Sequence, residues 1–191
     1  MKNYIDKQGR KKLLELARNS IKSKLESGKP VIYENFIREF NEKRGVFVTI
    51  TKNNRLRGCI GNILPEKELF KAVIDNAVFS AFEDPRFKPI DENEIEECEI
   101  EISILTVPEK IDYSHWHDIE KLITPFKDGV ILDFGKVQST FLPQVWQELP
   151  DFDDFMGHLS MKAGFQPDGW KKNKPVIKIY QADHFKESDL P

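Results

Sequence analysis

The sequence predicts an α+β fold: duplicated β-hairpin–α–β halves with mainly antiparallel sheets, preceded by an N-terminal amphipathic helix. Three observations predict it. Leu13, Leu14, Ala17, Ile21 and Leu25 recur by threes and fours with charges between them, which is the helical period. Segments 45–63 and 129–142 each read as two β-branched strands about a short turn. The order hairpin, Pro-initiated helix, strand then occurs twice along the chain, and matching element order points to an internal duplication.

The first helix is expected over 11–25 and ends at Ser27-Gly28-Lys29-Pro30, a Gly-then-Pro stop. Residues 31–43 read as a docking segment that buries Tyr33, Phe36 and Phe40. A hairpin follows, with strands at 45–51 and 56–63. Its turn is Asn53-Asn54, because Asn tolerates a left-handed backbone. Pro65 is expected to start a helix that buries Leu69, Phe70, Val73 and Ala77. Residues 98–104 alternate strictly, with Cys98, Ile100, Ile102 and Ile104 on one face and Glu99, Glu101 and Ser103 on the other. That pattern makes Cys98 a core residue. In the second half the hairpin turns at Gly135-Lys136, Pro143 opens a short helix, and a helix over 153–163 is capped by Gly164. Val176 to Tyr180 is the closing strand.

At 191 residues the chain fits one domain, either single or as two interlocked lobes near 10–107 and 108–185. A globule of this size buries roughly 70% of its unfolded surface, so no disulfide or metal staple is required. Lys+Arg number 29 against 32 Asp+Glu, a formal net charge of −3. That balance argues against a protein held on nucleic acid by general phosphate attraction. No apolar run approaches the ~20 residues of a membrane span, and the N-terminus lacks a signal peptide's apolar stretch. Cys59 and Cys98 form neither a disulfide framework nor a zinc-type pair. The expected location is the cytoplasm, with no cofactor and no metal.

The segment Arg57-Gly58-Cys59-Ile60-Gly61 carries the most suggestive chemistry. If Leu56 and Ile60 point inward, Arg57 and Cys59 share the opposite face, about 6.6 Å apart by the usual strand rise. Glycine inside a strand often marks a bulge or a close approach by a ligand or another backbone. A guanidinium near a thiol favours the thiolate, which suits a nucleophile or an anion-contacting surface. Against this stands the ordinary behaviour of free cysteine, which packs as a small hydrophobe.

Several strings together resemble the AMMECR family, named for a human chromosomal region linked to Alport syndrome, intellectual disability, midface hypoplasia and elliptocytosis. They are Gly45-Val46-Phe47-Val48-Thr49, Leu56-Arg57-Gly58-Cys59-Ile60-Gly61, the run from Ala81 to Phe87, Lys127 to Leu132, Thr140 to Trp146 and His158 to Gly164. The match extends over about 10–182, and Leu56 to Gly61 is similar to the family's hallmark string. The resemblance implies a duplicated α+β fold with that string near a cleft, and it implies no established reaction. Some prokaryotic members are fused to, or encoded beside, Memo-like and radical-SAM proteins, which makes such proteins candidate partners.

Within those strings His158 is a candidate base for Cys59, and Gln144 a candidate oxyanion donor. Asp84 and Arg86 belong to a helix-terminating loop whose charges pair, and they would orient a polar ligand if the loop lined the same cleft. His115-Trp116-His117 lacks a third ligand for zinc and reads as a mobile surface loop. Two functions compete. One is a thiol-dependent enzyme, or enzyme accessory, acting at Cys59 on a small anionic or carbonyl ligand. The other is a binding or adaptor module that uses the same surface, Arg57, Gly58, Ile60 and Gly61 included, for a protein or nucleotide partner.

Overall fold

The computed structural model describes residues 5–28 and 39–189. They form two compact units. One runs through Leu105 and resumes at Asp183; the other is Thr106–Ala182.

The first unit begins with helix α1, Lys7–Ser27. Asp6 caps it by accepting the Gly9 N–H at 2.7 Å. Gly28, at φ 75°, ends it by donating its N–H to the Lys24 carbonyl, as a left-handed C-cap does. Of the docking segment, Tyr33 and Phe36 lie outside the described residues, and Phe40 is buried. Strands β1 (Val46–Lys52) and β2 (Arg55–Asn62) form the expected hairpin. Asn53 and Asn54 turn it at φ 52° and 59°.

Helix α2 spans Leu69–Phe82, so Pro65 does not start it. An isolated bridge between Lys43 and Glu68 holds the chain extended up to the cap. The first free helical amides, of Leu69 and Phe70, donate to the carbonyls of Glu42 and Phe40, a partner that the sequence did not advertise. Strand β3 is Cys98–Leu105, and β4 (Glu109–Ile111) begins the second unit.

The second unit continues with β5 (Gly129–Asp133) and β6 (Gln138–Phe141). Its helices are α3 (Ile119–Leu122), α4 (Phe152–Lys162) and α5 (Gly169–Lys172). Pro143 opens a 3-10 turn, Pro143–Gln147, and Gly164 follows α4 at φ 85°. Residues Trp116–Asp118 are a further 3-10 turn, with the Trp116 and His117 rings stacked at 3.4 Å. His115, Trp116 and His117 are exposed, as expected of a surface segment. Strands β7 (Val176–Tyr180) and β8 (Ala182–Lys186) close the chain.

Two four-stranded sheets result, in the orders β2-β1-β3-β8 and β4-β7-β5-β6. In each, the first hairpin strand lies between its hairpin partner and the closing strand, and the pairs β1–β2, β1–β3, β4–β7, β5–β6 and β5–β7 are antiparallel. The first sheet buries Val46, Val48, Ile50, Ile100, Ile102 and Ile104 against α1 and α2. Each such aliphatic side chain contributes about 1.5–3 kcal/mol on burial. Cys98 belongs to this core, and burial pushes its thiol pKa up. Arg18 ties α1 to the sheet by donating to the carbonyls of Ile95 and Cys98 and to Glu187. The second core centres on Trp146, whose ring stacks on Phe155 at 3.6 Å.

Candidate functional site

Strand β2 stands at one end of its sheet, and its register with β1 decides what it displays. Next to the turn, Lys52 pairs with Arg55 and Thr51 with Leu56. Beyond a bulge, Ile50 pairs with Gly58, Thr49 with Cys59 and Val48 with Ile60. Arg57 is the extra residue, left without a partner on β1, as bulges require. Leu56 therefore sits opposite Thr51, on the face away from the helices, and is 43% exposed.

The bulge overturns the expectation of an inward Leu56, whereas Ile60, opposite the core residue Val48, and Cys59, opposite Thr49, take the faces expected of them. The Arg57 guanidinium is bound through Nε and Nη2 to the two carboxylate oxygens of Glu94, at 2.8 and 2.9 Å. That fork raises the pKa of Arg57 and lowers that of Glu94. Phe87 lies against the same guanidinium, 5.8 Å from ring centre to Cζ.

The guanidinium beside Cys59 belongs to Arg86. Its Nη2 donates to the Cys59 carbonyl at 3.2 Å, while Nε and Nη2 hold Asp84 at 2.9 and 2.6 Å. Asp84 also accepts the Arg86 N–H at 3.1 Å and the Cys59 N–H at 2.9 Å. Its carboxylate is 1% exposed, against 53% for the Arg86 side chain. The Arg86 fork first, and the two backbone donors after it, hold Asp84 well below the usual carboxylate range against the opposing effect of burial. The loop charges thus pair with each other and also clamp both main-chain polar groups of Cys59. Clamping an end strand in this way blocks the edge against another strand at that position.

The flanking glycines answer to packing. A Cβ on Gly58 would stand 2.1 Å from the Ser80 carbonyl oxygen of α2, and one on Gly61 would stand 2.3 Å from the Phe47 ring. Ser80 also places its hydroxyl between strands. It accepts the Ile60 N–H at 2.8 Å and donates to the Val48 carbonyl at 2.7 Å. Asn76, one turn earlier on α2, donates to the Val46 carbonyl and the Asn62 side chain, each at 2.9 Å.

Cys59 itself is half-buried. Its Sγ accepts a hydrogen bond from Thr49 Oγ1 at 3.3 Å. Thr49 faces Glu101 on its other side, and burial pushes the Glu101 carboxyl pKa up against the lowering effect of His184 and Lys186. The remaining candidates belong to the second unit. His158 is exposed on α4, with Nδ1 2.9 Å from the Asp154 carbonyl oxygen. Because a carbonyl only accepts, the ring proton sits on Nδ1 in that bond. Gln144 lies in the 3-10 turn, with Oε1 buried and without a partner among the described residues. Among the described residues no cluster of three or more His, Cys, Asp or Glu is arranged to hold a metal.

Thr49, Ser80, Asn76, Glu94 and Phe87 complete the site and were not singled out from sequence. Asn76 and Ser80 did leave a signal, since they are polar, four residues apart and set among the apolar residues of the helix's buried face.

Among the described residues no helix is long and apolar enough to cross a membrane. Residues 14–185 match the AMMECR1 family model. Protein Mbar_A1807 of Methanosarcina barkeri is 42% identical over 151 residues, covering 78% of this chain and 74% of that protein. Protein MK0488 of Methanopyrus kandleri is 37% identical over 185 residues, covering 93% and 87%. The crystal structure of uncharacterized protein PH0010 from Pyrococcus horikoshii superposes with a TM-score of 0.89 at 34% identity, over 98% of this chain and 96% of that one. A family model matched over most of the length, together with relatives of this identity, decides the matter: the chain belongs to the AMMECR1 family.

Proposed function

We propose that the Cys59–Arg86 surface is a recognition surface of a binding or adaptor module, receiving an anionic group of a protein or nucleotide partner. The observation that carries this reading is the commitment of the main chain around the thiol. The N–H groups of Cys59 and Ile60 already donate to Asp84 and Ser80. Acyl transfer at Cys59 would want such amides aimed at a developing oxyanion. Arg86, in contrast, is anchored by a buried carboxylate with half its side chain in solvent. It is a pre-organised cation, and pre-organisation lowers the entropic cost of binding. Memo-like and radical-SAM proteins are candidate partners on this reading. A cytoplasmic location accompanies it, in keeping with two free thiols. An internal duplication is also proposed, supported by the matching strand orders of the two sheets.

One observation favours the thiol-dependent enzyme as a second reading. The Thr49 hydroxyl donates to Sγ, which orients a sulfur that is only half-buried. Alkylation kinetics separate the two. On the binding reading Cys59 reacts with iodoacetamide no faster than a model peptide thiol. In cells Cys59→Ala retains function and Arg86→Ala loses it. Rapid alkylation, together with loss of cellular function in both Cys59→Ser and Cys59→Ala, would transfer the assignment to the enzyme.

A further inference from the structure

The tip of the first hairpin carries a depression that does not include Cys59. Lys52, Asn53, Arg55, Leu56 and Arg57 line it, around a volume of about 440 Å³. That lies within the roughly 300–1,000 Å³ of small-molecule sites. Three of its five lining residues are cations, and none is acidic. Glu94 and Glu97 stand behind Lys52, at 3.7 and 3.1 Å from its Nζ, and Glu94 holds Arg57. Those two carboxylates offset two of the three positive charges. Arg55, exposed beside the turn, has no acidic partner among the described residues, so one full positive charge is left over.

Two of the three cations are also held in place. Arg57 is fixed by its two bonds to Glu94 and is 15% exposed, so little side-chain freedom remains to be lost on binding. Lys52 is tethered on the opposite strand, paired directly with Arg55 across the turn. The bulge that takes Arg57 out of register is what brings it to this wall. Leu56 adds an exposed apolar surface between the charges.

A carboxylate satisfies one guanidinium fork. Arg55 offers a free fork, Lys52 stands across the turn from it, and the largely buried Arg57 adds positive charge behind them, so the tip suits an anion with oxygens pointing more than one way, and the apolar wall suits an organic portion. We propose that this hairpin tip binds a small organic phosphate of about nucleotide size. The proposal does not rest on the Cys59–Arg86 reading, because neither Cys59 nor Arg86 lines this depression.

The test is an amide NMR titration of the full chain with AMP, inorganic phosphate and, at matched ionic strength, acetate. AMP is expected to give saturable shifts at the amides of 52–57. Inorganic phosphate should shift the same amides more weakly, and acetate should not. Arg55→Ala, a change at an exposed side chain whose folding the same spectrum verifies, should weaken AMP binding at least tenfold, while Arg86→Ala leaves it unchanged. Equal shifts with acetate, no saturation with AMP, an Arg55→Ala variant that binds AMP as before, or binding lost only in Arg86→Ala would each overturn the proposal. The last outcome would leave the Cys59–Arg86 reading standing.

Discussion

The Cys59 backbone N–H donates to Asp84 Oδ2 at 2.9 Å, so this cysteine is positioned by a buried carboxylate 25 residues further along the chain. That one bond joins strand to loop, fixes the direction in which Arg86 is presented, and removes a main-chain donor from any chemistry at the thiol. The consequences are measurable.

Replacing Asp84 with Ala strips the Cys59 and Arg86 amides and the Arg86 fork of their common acceptor. Hydrogen bonds to charged groups are worth about 1.5–3 kcal/mol. Because the Arg86 head can rehydrate, the expected loss is about 2 kcal/mol in urea unfolding. A loss below roughly 0.5 kcal/mol, the scale of ordinary surface substitutions, would show that the clamp does not hold the site together.

The same carboxylate sets an acid limb. Its folded pKa lies below its unfolded value of about 3.9, so its contribution is complete above about pH 4. It is lost as the pH falls toward the folded value. The urea midpoint of the parent protein should therefore drop below pH 4 more steeply than that of Asp84→Asn. Parallel curves would remove the claim.

Glu101 behaves with the opposite sign. Burial raises its pKa above the unfolded value of about 4.3, so its ionised form burdens the fold once the pH rises past that point. Glu101→Gln is expected to raise the unfolding temperature at pH 7 and to leave it unchanged near pH 3. A stability loss at pH 7 would point to a partner that its carboxylate needs.

Gly58→Ala puts a methyl 2.1 Å from the Ser80 carbonyl oxygen. Backbone must move on one side, and overpacking of this kind costs about 1–3 kcal/mol. Ser80→Ala should be similarly unfavourable, since it leaves the Ile60 N–H and the Val48 carbonyl short of partners in a buried seam. Chemical denaturation of both variants checks this, and parent-like stability in either would contradict the close approach of α2 to β2.

Much of the fold was legible in local patterns. The α1 stripe, the Asn53-Asn54 turn, the alternation of β3 and the cap at Gly164 are all decided by neighbours within a few residues. The start of α2 was not legible, because its cap is a pair of carbonyls at Phe40 and Glu42. Strand β8 was missed as well. Its short Ala182–Lys186 run draws its place from pairing with β3, far back in the sequence. At the site, the pairing of Asp84 with Arg86 was readable from their spacing, but their hold on Cys59 was not.

Local pattern alone set two strands, near 45–51 and 56–63, about a two-residue turn, and placed a thiol, two glycines and an arginine on the return. Continuing the register of the turn pairs would set Cys59 opposite Val48, whose side chain is in the core. The bulge at Arg57 moves it opposite Thr49 instead. Which face received the thiol, and which guanidinium stood beside it, was therefore decided only in the tertiary structure. The physical reason is that side chains alternate along a strand, so a single inserted residue exchanges its two faces. That insertion is stabilised by partners distant in sequence: Glu94 for Arg57, Asp84 for the Cys59 amide and Ser80 for that of Ile60.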